Sequence, residues 1–128
     1  MLYLDSSALV KLVVPEPESG ALREALRAWP ERVSSVVAEI EVERVARRIG
    51  GGAIRRARSV LSRVGLVELD DEVRSSAAAL RPPELRTLDA VHLASALSLG
   101  KDLGALCAYD QRLAGAAIAA GAILLMPE

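Results

Sequence analysis

Large aromatic side chains and cysteines are scarce in this 128-residue sequence. It has no Phe, one Trp and two Tyr, so a hydrophobic core has to be built from Ala, Leu and Val. The single cysteine, Cys107, excludes an internal disulfide bond and suits a reducing compartment. Because Cys107 stands inside an apolar run, we expect it to be buried as a small hydrophobic side chain.

Long apolar runs and an excess of either charge are also absent. Charged residues interrupt every hydrophobic stretch before it reaches the ~20 residues of a membrane span, and Asp5 comes too early for a signal peptide. These features predict a soluble, cytoplasmic protein with no membrane partner. The 16 basic and 17 acidic side chains give a formal charge of −1, so any attraction to nucleic acid must come from a local surface.

Short apolar runs alternate with amphipathic segments along the chain. The predicted strands occupy 1–5, 32–35, 65–69, 105–109 and 122–125. The predicted helices occupy 18–28, 36–49, 53–64, 72–80, 88–99 and 111–120, after a short first helix that ends before Pro15. Such alternation is typical of a parallel sheet with helices on both faces. Without a repeat or linker, the length predicts one α/β domain over residues 1–128.

Four acidic side chains stand where an α/β sheet forms its ligand crevice: Asp5, Glu41, Asp89 and Asp110. Asp5 and Asp110 lie at the ends of predicted strands, and the other two lie on helices able to lean over the same edge. Carboxylates gathered there repel each other unless a cation lies between them. Oxygen ligands without a His/Cys cluster favour Mg²⁺ or Mn²⁺, and an ion held in this way is suited to phosphoryl transfer.

Each of these aspartates also has a purely structural interpretation. Asp5 and Asp110 could cap the helices that follow them. Asp89 could stabilise the first turn of its helix, two residues after Thr87, a candidate N-cap. His92 is expected to pack against its neighbours rather than to bind metal. Only the joint placement of the acidic residues therefore predicts a site.

Three glutamates compete for the helical position in that site. Helical periodicity places Glu43 on the surface, where Arg47 follows at i+4 as an ordinary ion pair. Glu39 and Glu41 flank the apolar face of the helix on opposite sides. Periodicity alone leaves both of them as candidates.

The segments around these carboxylates resemble those of PIN-domain ribonucleases, particularly VapC-type toxins of bacterial toxin–antitoxin pairs. The resemblance lies in Tyr-Leu-Asp-Ser-Ser-Ala-Leu-Val-Lys-Leu at 3–12, in Leu-Arg-Thr-Leu-Asp-Ala-Val-His-Leu-Ala-Ser-Ala-Leu at 85–97, and in Tyr-Asp-Gln-Arg-Leu at 109–113. In the family, a glutamate comes six residues after the second of two serines. Ser34-Ser35 followed by Glu41 matches this spacing, which selects Glu41 over Glu39.

This resemblance implies a three-layer fold with a five-stranded parallel sheet, and Mg²⁺- or Mn²⁺-dependent endonucleolytic cleavage of RNA. Asp5, Glu41, Asp89 and Asp110 would bind the metal and act in catalysis, and the hydroxyl of Ser7 would assist. The resemblance also implies a cognate VapB-like antitoxin and a homodimer. One departure is Ala108, which stands where many members have Ser or Thr, so a hydroxyl contact near Asp110 is expected to be missing.

A basic stretch without acidic residues runs from Arg44 to Arg63 and contains seven arginines. It could contact RNA phosphates, receive an acidic segment of a partner, or form ordinary solvated helix faces. Gly50-Gly51-Gly52 inside it could end a helix or provide a flexible arm. Two other functions stay open. A non-catalytic PIN-like RNA-binding or assembly module is disfavoured by the complete acidic set. A Mg²⁺-dependent small-molecule phosphohydrolase is disfavoured because this sequence has no Gly-rich phosphate loop.

Overall fold

The computed structural model describes residues 1–128 as a five-stranded sheet with seven α-helices. The strands are β1 Leu2–Leu4, β2 Arg32–Ser35, β3 Gly65–Val67, β4 Ala105–Cys107 and β5 Leu124–Leu125. The helices are α1 Ser6–Val13, α2 Ser19–Leu26, α3 Val37–Ile49, α4 Ala53–Leu61, α5 Asp71–Ala79, α6 Thr87–Leu97 and α7 Gln111–Ala119, with a 3₁₀ turn at Gly100–Asp102. The predicted α/β fold is confirmed.

The strand order is β3-β2-β1-β4-β5, and every pairing is parallel. Strand β1 lies in the middle, with Leu2 opposite Arg32 of β2 and Leu4 opposite Cys107 of β4. The chain builds one half of the sheet outward from β1 and then crosses to build the other half from β4. In parallel sheets, the crevice at the carboxyl ends of two such strands is where ligands bind.

Side chains of β1 alternate between two hydrophobic cores, as the period of a strand requires. Leu2 and Leu4 join Cys107 and the apolar faces of α1 to α4 on one side of the sheet. Tyr3 joins Leu106 and side chains of α6 and α7 on the other side. The three-layer arrangement, the Ala- and Leu-rich core and the burial of Cys107 are all as predicted.

Helix ends explain most differences from the predicted boundaries. Asp70 accepts a hydrogen bond from the Val73 amide and starts α5 one residue earlier than expected. The prediction that Thr87 caps α6 is wrong, because Thr87 is already helical and Arg86 precedes the helix without a side-chain cap. Gly50 and Gly51 have φ angles of 77° and 58°, which explains glycine between α3 and α4.

No helix of the protein is sufficiently long and apolar to span a bilayer.

Candidate active site

Asp5 connects β1 to α1 and is almost fully buried, with 3% of its surface exposed. Its Oδ1 accepts hydrogen bonds from the Ala8 amide at 2.9 Å and from the Ser7 hydroxyl at 2.6 Å. Its Oδ2 accepts none. The capping interpretation of Asp5 is therefore correct for one oxygen and leaves the other free for a ligand. Burial raises the pKa of this carboxyl above its ordinary value, although both hydrogen bonds oppose the shift.

Glu41 reaches the same place from α3 and is half-buried. Its Oε1 lies 2.8 Å from Nε2 of His92, and its Oε2 accepts a hydrogen bond of 3.2 Å from the Ser6 hydroxyl. Glu39, on the other side of α3, is exposed and lines a separate shallow depression beside Arg58. The structure thus brings Glu41 to the predicted location and leaves Glu39 outside it.

Asp89 and Asp110 complete the acidic group from α6 and α7. Asp110 is exposed and caps α7, since its Oδ1 accepts hydrogen bonds from the amides of Arg112 and Leu113 at 2.9 and 3.3 Å. Asp89 is half-buried in the first turn of α6. Burial raises the pKa of the Asp89 carboxyl, and the neighbouring negative charge of Asp110 raises it further. A cation between the two would offset the repulsion and favour the ionised form of Asp89.

A cleft of about 740 Å³ lies beside these carboxylates, at the carboxyl ends of β1 and β4. Glu41, Asp110 and the two serines after Asp5 line it directly. Repulsion from the Glu41 carboxylate also reaches Asp5, which joins the two inner acids electrostatically. Exposed Ile40 and Leu88 form an apolar rim. The cleft therefore combines acidic side chains with an apolar edge.

The donor set of this site suits a hard divalent cation. It offers carboxylate and hydroxyl oxygens, because His92 nitrogens are both hydrogen-bonded and Cys107 lies in the core. No group of three or more Asp, Glu, His or Cys side chains is arranged to hold a metal ion by itself. An ion bound here would then take one or two carboxylates and complete its shell with water, which is the usual mode for Mg²⁺.

Two features of the site were not predicted from the sequence. His92 contacts Glu41 directly, and Lys11 lies beside the cleft with its ammonium group bound to Glu16 and Glu18. A sequence signal existed for His92, because it follows Asp89 by three residues and so shares its helix face. No sequence signal indicated the Lys11 cluster.

The basic stretch is divided among several tasks in the structure. Arg44 and Arg48 line the cleft. Arg47 and Arg58 both bind Glu43, and Arg56 donates to the carbonyl of Val13. The predicted positive surface thus reaches the cleft through two arginines only. Ala108, which lacks the hydroxyl that many family members have there, is fully buried in the core beneath α6 and α7.

The fold and site define an α/β protein with a carboxylate-lined cleft at the switch point of a parallel sheet. Residues 2–119 match the PIN domain family, and the chain belongs to that family. The protein named Ribonuclease VapC46 of Mycobacterium tuberculosis is 49% identical over 127 residues, which cover 99% of this chain and 98% of that protein. The predicted family is confirmed.

Solved structures share the fold at lower identity. A toxin–antitoxin complex from Klebsiella pneumoniae matches with a TM-score of 0.71 and 24% identity, over 90% of this chain and 92% of that one. The VapC20 toxin of Mycobacterium tuberculosis, described as cleaving the sarcin–ricin loop, matches with a TM-score of 0.73 and 20% identity, over 99% and 100% of the two chains.

Proposed function

We propose that this protein is a divalent-metal-dependent endoribonuclease that acts as the toxin of a toxin–antitoxin pair. What carries the proposal is that Glu41 and Asp110 line one cleft, that their charges act on the neighbouring Asp5 and Asp89, and that the chain is 49% identical to a protein named a ribonuclease. The expected class of enzyme, a nuclease that hydrolyses phosphodiester bonds, agrees with the names of the relatives.

Mg²⁺ or Mn²⁺ is the cofactor that the oxygen donors favour. Asp5 through its free Oδ2, Glu41, Asp89 and Asp110 are the candidate ligands, of which one or two would bind the ion directly and the others through coordinated water. When bound, such an ion polarises a phosphate oxygen and lowers the pKa of a coordinated water.

The side chains of the site have separable tasks in this proposal. Asp5 and Asp89, whose raised pKa values reflect burial and neighbouring charge, would hold positive charge close to the scissile phosphate. Arg44 and Arg48 on the cleft wall would receive flanking phosphates of the RNA backbone. The Ser7 hydroxyl is occupied by Asp5, so it would orient that carboxylate rather than contact RNA.

Cleavage assays on structured RNA test the proposal. The purified protein should cleave with Mg²⁺ or Mn²⁺ and should stop on addition of EDTA. Glu41→Gln should reduce cleavage at least about 100-fold. Its matched control is Glu39→Gln on the same helix, which should cleave normally because Glu39 is exposed outside the cleft. Cleavage that persists in EDTA, or equal loss in both variants, would contradict the proposal.

A VapB-like antitoxin is the proposed partner, and the apolar rim supports this. Ile40 and Leu88 are 64% and 47% exposed beside the cleft, where they offer a partner an apolar surface next to the carboxylates. An antitoxin segment could place apolar side chains on this rim and an Arg or Lys against the carboxylates. The proposal also includes RNA as substrate, and a homodimer stays a prediction that sedimentation analysis would measure.

Co-purification with the product of a neighbouring gene tests the partner. The antitoxin should abolish cleavage, and Ile40→Asp should weaken its binding by at least about tenfold. Ile118→Asp is the matched control, because Ile118 is 60% exposed but lies outside the cleft on α7. Inhibition that both variants retain equally would place the partner elsewhere.

A further inference from the structure

A buried chain of polar side chains runs between the sheet and helix α6 and ends at Glu41. The Tyr3 hydroxyl lies 2.7 Å from Nδ1 of His92, and Nε2 of His92 lies 2.8 Å from Oε1 of Glu41. Tyr3 is fully buried and His92 is 2% exposed. The hydroxyls of Ser34 and Ser95 adjoin Tyr3 and have no close hydrogen-bond partner of their own.

The direction of these hydrogen bonds follows from the carboxylate at the end. Glu41 can only accept, so Nε2 of His92 must carry a hydrogen and donate it. When the imidazole is neutral, Nδ1 is then an acceptor and the Tyr3 hydroxyl donates to it. Burial raises the pKa of Tyr3 well above its ordinary value, which keeps its proton available for this donation.

Apolar side chains such as Phe and Leu at these positions would avoid the cost of burying polar groups. Burying a phenol, an imidazole and two hydroxyls costs free energy that the few hydrogen bonds between them offset only in part. The chain of contacts leaves the core at one point, Glu41, which is half-buried in the cleft. The buried hydrogen bonds therefore end on a side chain of the candidate active site.

We infer that His92 is a positioning residue, held by Tyr3, that fixes the Glu41 carboxylate for cation binding and RNA cleavage. With Ser6 on its second oxygen, Glu41 has one donor on each oxygen and one preferred orientation. Helix α6 thus supplies both the Asp89 carboxylate and, one turn later, the donor that orients a carboxylate of α3. The inference rests on the proposed nuclease function.

Three variants separate positioning from packing. His92→Leu removes the donor, and Tyr3→Phe removes only the hydroxyl that holds the imidazole. His92→Gln keeps an N–H donor near the position of Nε2. Val73→Ala, a core change on α5 away from the cleft, is the control for lost stability. For each we would measure Mn²⁺ affinity by calorimetry, kcat and KM for RNA cleavage, and unfolding by urea.

His92→Leu should weaken Mn²⁺ binding and lower kcat by about 10- to 100-fold, the usual effect of losing a residue that orients a metal ligand. KM should change little, because His92 does not contact RNA. Tyr3→Phe should lose several-fold, and His92→Gln should recover most of the affinity. Tyr3→Phe should have no further effect in a His92→Leu background, since both act through one imidazole.

Folded His92→Leu with Mn²⁺ affinity and kcat within twofold of the unaltered protein would overturn the inference, as would an equal loss in Val73→Ala. If His92→Leu does not fold, Tyr3→Phe and His92→Gln decide by the same two readouts. An unaltered protein that binds Mn²⁺ but cleaves no RNA would instead contradict the proposed function.

Discussion

Ser7 and Asp5 are joined by a 2.6 Å hydrogen bond in which the serine hydroxyl donates to Oδ1 of the aspartate. The same hydroxyl oxygen accepts from the Tyr109 amide at 3.0 Å. Ser7 therefore links the ends of β1 and β4 on either side of the switch point. The sequence predicted a catalytic hydroxyl here, and the geometry supports a role in holding Asp5 in place.

Replacing Ser7 should impair both the fold and the site. Ser7→Ala leaves the Tyr109 amide without its acceptor, which should cost about 1–2 kcal/mol of unfolding free energy. It also removes a donor that lowers the pKa of Asp5, so this pKa should rise further and Mn²⁺ affinity should fall about tenfold. Urea unfolding and calorimetry measure the two effects. Ser7→Thr keeps the hydroxyl and should restore metal binding, and a failure to do so would argue against the orienting role.

Asp5 should make stability depend on pH in a direction set by its raised pKa. A carboxyl that ionises less readily in the folded state contributes fully below the ordinary aspartate pKa of about 4, and that contribution is lost as pH rises through the folded value. Asp5→Asn keeps an oxygen for Ser7 and the Ala8 amide but cannot ionise. In EDTA, its unfolding free energy should exceed that of the unaltered protein at pH 7, and the difference should shrink towards pH 4.

A matched control and a ligand test accompany that measurement. Asp102→Asn alters an exposed carboxyl at the opposite end of the sheet and should change stability by less than about 0.5 kcal/mol. Added Mg²⁺ should stabilise the unaltered protein more than Asp5→Asn, because a ligand stabilises only the state that binds it. Equal stability of both proteins at every pH would contradict a raised pKa for the buried Asp5 carboxyl.

The fold was largely predictable because its two central strands, β1 and β4, are buried. Runs such as Leu2–Leu4 and Ala105–Cys107 are apolar on both faces, and the aspartates that follow them mark the helix starts. The prediction for Thr87 was wrong because a common capping residue can equally occupy the first helical turn. The local sequence does not determine which of the two positions such a residue takes.

The site was predictable in its residues and not in its connections. Periodicity left Glu39 and Glu41 equivalent, and the fold separates them because only one side of α3 faces the cleft. His92 packs as expected, but its partners Tyr3 and Glu41 lie 89 and 51 residues away in the sequence. Hydrogen bonds at such separations depend on the assembled sheet.

Two glycines should respond oppositely to a methyl group. A Cβ on Gly104 would lie 2.5 Å from Cζ3 of Trp29, so Gly104→Ala should destabilise the protein by about 1–3 kcal/mol. Gly20 lies within α2 with open space around it, so Gly20→Ala should stabilise by about 0.4–1 kcal/mol. Thermal and urea unfolding of the pair measure both signs. Destabilisation by both changes would contradict the open space around Gly20.

The Lys11 side chain is largely buried beside the cleft, with 9% of its surface exposed. Its Nζ binds Glu16 at 3.0 Å and Glu18 at 2.8 Å and lies 4.6 Å from the ring centroid of Tyr109. Burial alone would lower the pKa of Lys11, but the two carboxylates outweigh burial and raise it. The ammonium group therefore stays charged and tied to the loop after α1.

Lys11→Met keeps the apolar stem but leaves Glu16 and Glu18 facing each other without a cation. We expect a loss of about 1–3 kcal/mol in unfolding free energy, because charged hydrogen bonds in a partly buried site are lost. Arg27→Met is the matched control, since its pair with Glu24 is exposed and should contribute at most about 0.5 kcal/mol. Urea unfolding at low and high salt distinguishes the buried Lys11 cluster from the exposed Arg27–Glu24 pair. High salt should not rescue Lys11→Met, and equal small losses in both variants would mean that the Lys11 cluster is as solvent-screened as a surface pair.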